Sequence, residues 1–100
     1  MGNKENIIYS NVAVLPKAWN IWESEEYSAI DSKQYPLKAF VPCKGINPED
    51  YQVQVSFDTK SKWTPYLAPL IETVNGGINI FASRQIEDKI YIQEIVCYRN

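Results

Sequence analysis

The segment Tyr51-Gln52-Val53-Gln54-Val55-Ser56-Phe57 alternates apolar and polar side chains without a break. Successive side chains of a strand point to opposite faces, so this pattern makes one dry face and one wet face. That is the signature of an antiparallel sheet with one solvated side. A chain carrying such a strand must find further strands to pair with it and a second layer to cover its dry face.

Other runs supply them. Ile7 to Leu15 reads as a strand stopped by Pro16, and Trp19-Asn20-Ile21-Trp22 as a loop or short strand with aromatic anchors. In Tyr35 to Pro42, Leu37, Ala39 and Val41 share one face and Lys38 and Phe40 the other. Its two prolines cannot donate to a ladder and belong at the ends or on an edge. Asn47 before Pro48, with Glu49 and Asp50 following, is a helix-start pattern with room for one turn. Leu67 to Val74, the turn Asn75-Gly76-Gly77 and Ile78 to Ala82 form a hairpin signal, because Asn and Gly tolerate the positive φ of tight turns. Ile90 to Tyr98 is the last strand. Its parity slips at Gln93-Glu94, which predicts a bulge or a wet end to that face. The stretches Asp58 to Tyr66 and Arg84 to Lys89 read as a long loop and a charged turn.

The expected fold is therefore all-β: a small antiparallel β-sandwich, jelly-roll-like, of about six to eight strands with one short helical turn. It occupies residues 7–100 as a single domain, with Met1 to Asn6 as a flexible leader. Composition agrees. Aromatics make up 13% of the chain, with seven Tyr and three Trp, and these residues favour pleated, half-buried surfaces.

Charge and residue types exclude several functions. Ten Lys plus Arg against twelve Asp plus Glu leave a net charge of −2, which offers no field for gathering phosphates, so no nucleic-acid partner is expected. A hydrophobic share of 45% with 22% charged residues fits a globular protein and not a membrane one. Histidine is absent, which removes the commonest general base, the commonest zinc ligand and every Ser-His or Cys-His arrangement. The glycine pair lacks a following helix and a Lys-Ser/Thr, so it is no phosphate loop. Glu49 and Asp50 are adjacent at a helix start, where the dipole explains them, and not set apart as an acid and a base. Glu23, Glu25, Glu26 and Asp31 lack the spacing that arranges oxygens round calcium. The chain is expected to be no enzyme, with no cofactor and no metal.

Cys43 and Cys97 are too few for a disulfide scaffold, and no apolar signal-peptide run opens the chain. Asn6 stands where a myristoylation signal needs Ser or Thr. The protein is expected in a reducing cytoplasm, with two unpaired thiols of which at least one is buried. Were they to meet and oxidise, closing so long a loop could add ~4 kcal/mol in the chain-entropy model.

From Trp22 onward the order of signals, carried by residues Tyr35 to Ile92, resembles the small C-terminal β-rich domain of tail-fibre and baseplate structural proteins of phages and prophages of Gram-positive bacteria (Firmicutes). Tyr35 to Pro42 resembles that family's strand ending in an Ile/Val-Pro pair, and Gly45-Ile46-Asn47 its turn before a short helical segment. Val53 to Phe57 resembles its next strand. Its most recognisable stretch is matched by Leu67-Ala68-Pro69, Glu72-Thr73 and Gly76-Gly77-Ile78-Asn79-Ile80-Phe81-Ala82. The chain departs from the family in having its own N-terminal strand, and in Thr59 to Tyr66, where the family has Ser, Ala and Gly. The resemblance implies a non-enzymatic virion structural protein, made in the bacterial cytoplasm and carried in the tail. Its partners would be other tail proteins and further copies of itself with three-fold symmetry, and its role would include attachment to the host surface.

The residues offer two candidate sites. Trp63 and Tyr66 lie on a polar loop and could stack on a sugar of a cell-surface polysaccharide, with Lys60, Lys62 and Asp58 as a polar rim. This is also how a stand-alone, lectin-like carbohydrate-binding module would work. The same loop folded back would instead let Trp63 plug the end of the sandwich. Trp19 and Trp22, three apart, would face one way on a helical turn and opposite ways on a strand, as core anchors or, in the lectin-like reading, as further stacking rings. Second, an aromatic-rich terminal strand at a sheet edge is a pairing hazard unless covered, so Ile90, Ile92, Ile95 and Tyr98 are the expected oligomer interface.

Overall fold

The structure, a computed structural model, describes residues 6–100. Apart from Asn6, the expected leader Met1 to Asn6 lies outside the described residues. Seven strands follow in order: β1 (Ile7–Val14), β2 (Trp19–Ile21), β3 (Leu37–Pro42), β4 (Tyr51–Phe57), β5 (Glu72–Val74), β6 (Gly77–Ala82) and β7 (Ile90–Arg99). They form two antiparallel sheets, β1-β7-β4 and β2-β3-β6-β5. The chain crosses between the sheets after β1, β3, β4 and β6, and stays in one sheet from β2 to β3 and from β5 to β6.

The dry faces meet as the alternation requires. Ile92, Ile95 and Cys97 of β7 pack with Ala39 and Val41 of β3 and Ile78 and Ile80 of β6 in one cluster. Tyr51, Val53, Val55 and Phe57 of β4 lie half-buried against it. Ile86, within the charged turn 84–89, is fully buried there too, and so is more than the turn residue expected of that stretch.

Local chemistry explains the connections. Asn47 Oδ1 accepts the amides of Glu49 at 3.0 Å and Asp50 at 2.8 Å, and the Tyr51 amide reaches Asn47 O at 3.2 Å. That caps a tight turn where the sequence predicts one helical turn, but the helical segments among the described residues are two 3-10 turns elsewhere, Pro16–Ala18 and Thr64–Tyr66. In the β5–β6 hairpin only Asn75 and Gly76 turn, with Gly76 at φ 84°. Gly77, expected in the turn, pairs with Val74 as the first residue of β6. The turn is tied to the loop after β3, because the Cys43 amide donates to Gly76 O and the Gly76 amide to Ile46 O, both at 2.8 Å.

The parity slip in β7 is a β-bulge. Ser56 pairs with Glu94 but Phe57 with Ile92, which leaves Gln93 without a partner on β4. At the same level on the other side, Asn11 of β1 takes a left-handed φ of 53° between the pairs Ser10–Glu94 and Val12–Ile92. β1 and β7 thus reverse their alternation together, and the pairing between them stays in step.

Two expectations are corrected. β7 is the central strand of its sheet, not an edge. Ile90, Ile92 and Ile95, expected at an oligomer interface, are buried in the chain's own core, because their side chains face the other sheet while β1 and β4 cover both edges of β7. Of that set Tyr98 alone faces solvent, 37% exposed.

Sheet β2-β3-β6-β5 is covered on its outer face as well. Ile30, Ala68 and Phe81 form a second cluster, with Trp22 and Tyr35 packed against it. The segment between β2 and β3 folds over the sheet, its neck held by reciprocal bonds from the Ser24 and Ser32 amides to each other's hydroxyls at 2.9 and 3.1 Å. Every residue of β6 is therefore buried. Trp19 enters the main core and Trp22 the outer cluster, the opposite placement that strand spacing predicts.

Candidate functional site

The loop from Asp58 to Tyr66 is a chain of tight turns rather than an open coil. Asp58 Oδ1 accepts the Lys60 amide at 2.9 Å, Asp58 O accepts the Ser61 amide at 3.2 Å, and Ser61 Oγ accepts the Trp63 amide at 3.2 Å. These turns split the five expected ligand-binding residues between two places.

Trp63, Tyr66 and Lys62 lie together. The Trp63 indole is only 8% exposed and belongs to the main core, with Nε1 donating to Asp88 Oδ2 at 2.8 Å. Lys62 Nζ sits 5.3 Å from the indole centroid and 3.7 Å from Asp88 Oδ2. The Arg84 guanidinium lies 5.7 Å from the Trp63 ring and 5.2 Å from the Tyr66 ring. So deeply set, the indole offers a sugar little surface to stack on. Of the expected pair, the ring available to a ligand is that of Tyr66, 37% exposed.

Asp58 and Lys60 lie elsewhere, on the outer face of β1-β7-β4. With Asn11, Thr59, Tyr91 and Gln93 they line a cleft of about 320 Å³. The fold builds it at the double irregularity: the left-handed Asn11 and the bulged Gln93 stand side by side, and the loop after β4 closes the end. Bulges are found at such places because they re-aim side chains off the regular pleat. Tyr91 is 47% exposed, with Lys89 Nζ 5.4 Å from its ring centroid. One aromatic face beside two amides, a carboxylate and an ammonium provides both a stacking surface and donors and acceptors for hydroxyls. Asn11, Tyr91 and Gln93 were missed because they sit on strands. The signals available were an Asn inside an apolar run and the parity slip at Gln93.

The titratable groups with displaced pKa values lie at the sandwich interior, away from this cleft. Burial, and then the neighbouring Cys97, push the Cys43 thiol up to about 11. Burial also raises Cys97, opposed by its hydrogen bond with Cys43, and raises Tyr9, with smaller contributions from both thiols. Raised values keep these groups protonated and unreactive near neutral pH. Both cysteines are free and fully buried. Among the described residues no group of three His, Cys, Asp or Glu side chains could hold a metal ion, and no helix is long and apolar enough to cross a membrane.

No family model matches the chain, and no curated protein or solved structure matches it either.

Proposed function

We propose that this chain is a non-enzymatic structural and attachment protein of a phage or prophage tail, assembled with copies of itself and with other tail proteins. In this reading it holds a host-surface polysaccharide in the cleft around Tyr91. The observation that carries the attachment role is the cleft itself: an exposed phenol ring flanked by Asn11, Asp58, Lys60 and Gln93, where β7 bulges against β4 beside the left-handed Asn11. Support for the tail setting comes from the Leu67 to Ala82 stretch, where the family resemblance is densest.

The test is binding of the purified chain to cell-wall polysaccharides and teichoic acids of Gram-positive bacteria. Tyr91→Ala is expected to weaken binding by about ten-fold or more, as loss of a stacking ring does, and to leave the fold intact because the ring is half exposed. Equal binding by both proteins, or turnover of the polymer, would remove the reading. A stand-alone lectin-like module would use the same cleft and need no tail partner. Failure of the chain to associate with purified virion tails, with saccharide binding retained, would favour that second reading.

A further inference from the structure

Tyr91 and Tyr98 stand on β7 at an odd spacing, which on a regular strand sends two side chains to opposite faces. The bulge at Gln93 absorbs the odd residue. Beyond it the alternation is reset, so Tyr98 leaves the sheet on the same outer face as Tyr91, and both phenol rings are exposed. The matching irregularity at Asn11 keeps β1 in step beside them.

At the rise of an antiparallel strand the two rings are about 20 Å apart. What lies between them follows from the pairings, because directly opposed residues share a face. Ser10 and Ser56 flank Glu94, Ile8 and Gln54 flank Val96, and Gln52 stands beside Tyr98. All of these except Val96 are exposed. The face is a shallow track of hydroxyls and amides with one small apolar step. Among the described residues Glu94 is the one charge along it between the rings, and the cations Lys60 and Lys89 stand at the Tyr91 end, beside Asp58. The other sheet has its outer face under the segment between β2 and β3, whereas this face is open.

We propose that the ligand held at Tyr91 is a neutral, linear polysaccharide laid along β7, with Tyr98 stacking on a ring several sugars further on. The inference rests on the saccharide reading above and adds the length and charge of the ligand. Sugar rings offer C–H faces to the two phenols and hydroxyls to the amides and serines between them. A terminal sugar or a disaccharide reaches one phenol and leaves the other bare. A polyanion such as a teichoic acid meets the Glu94 carboxylate midway. A protein partner finds little to bury, because the centre of a stable interface is apolar and depleted of charge, and this track has a carboxylate, hydroxyls and amides there.

The test is calorimetric titration of the chain with a neutral polysaccharide of Gram-positive cell walls, hydrolysed and fractionated from disaccharide to decasaccharide, beside a teichoic acid. The decasaccharide is expected to bind about ten-fold or more tighter than the disaccharide. Tyr98→Ala should remove about ten-fold from the decasaccharide and nothing from the disaccharide, Tyr98→Phe should keep the wild-type pattern, and Tyr91→Ala should weaken both lengths. If Tyr98→Ala does not fold, Gln54→Ala on the exposed face of β4 serves in its place, with an expected loss of about three-fold confined to the decasaccharide. Affinity that ignores length, a decasaccharide indifferent to both substitutions, or tighter binding of the teichoic acid overturns the proposal and leaves the cleft at Tyr91 standing. Binding of no fraction and no uncut polymer removes the saccharide reading and this inference with it.

Discussion

Gly77 has no room for a side chain. A Cβ there would run into Val41 O and would come within 2.7 Å of the Phe40 ring, which lies across the outer face of β6 at this point. A ring could swing aside, but a carbonyl paired in the β3–β6 ladder cannot. Gly77→Ala is therefore expected to lower stability by ~1–3 kcal/mol in chemical denaturation. Gly77→Ala with Phe40→Ala should not recover it; recovery would assign the strain to the ring. The tryptophans differ in the same residue-level way. Trp19 Nε1 is buried with no hydrogen-bond partner among the described residues, whereas Trp63 Nε1 donates to Asp88. An orphan donor is already a liability, so replacing it by carbon relieves a desolvation cost. Trp19→Phe is expected to be the milder change, and Trp63→Phe to lose about 1 kcal/mol more. The reverse order in paired melts would contradict this account.

At the scale of elements, the segment between β2 and β3 gives sheet β2-β3-β6-β5 its outer cover. Trp22 is central to it: its ring centroid is 4.9 Å from that of Phe81, Lys38 Nζ lies 5.3 Å above it, and its Nε1 donates to Tyr35 O at 2.8 Å. Trp22→Ala should cost about 3 kcal/mol and speed amide exchange throughout residues 23–35, with β7 unchanged. Exchange that rises uniformly would show instead that this segment and the main core unfold as one. Of this cover only the placement of Trp22 opposite Trp19 was legible in the sequence, because Ile30 and Tyr35 have neither a helical nor a strand period. β4, β6 and β7 were legible because their alternation is imposed by the pleat. What no period reports is which strand lies beside which, and so β7 reads as an edge although β1 and β4 flank it. The same limit applies to the cleft: Asp58 and Lys60 announce themselves in a polar loop, while Asn11 and Tyr91 join them only through the pairing of β1 with β7.

For the whole molecule, the thiols of Cys43 and Cys97 are a point where the two sheets are coupled to pH. Cys43 follows β3 of one sheet, Cys97 lies in β7 of the other, and both thiols are buried in the shared core, near enough to shift each other's titration. Folding holds the Cys43 proton up to about 11 from an ordinary 9.0. Between those values the unfolded chain has released its proton and the folded chain has not. The folded state then binds more protons, and its stability must fall as pH rises. The loss is absent below pH 9 and grows through pH 11, by about 1.4 kcal/mol per pH unit for each such group. Cys97 adds to it in the same direction. Urea denaturation at pH 8, 9, 10 and 11 measures the slope. Cys43→Ser keeps the volume, has no titration in this range and should flatten it, whatever it does to stability at pH 8. An equally steep loss in that variant would place the alkaline sensitivity with Cys97, Tyr9 or other groups rather than with Cys43.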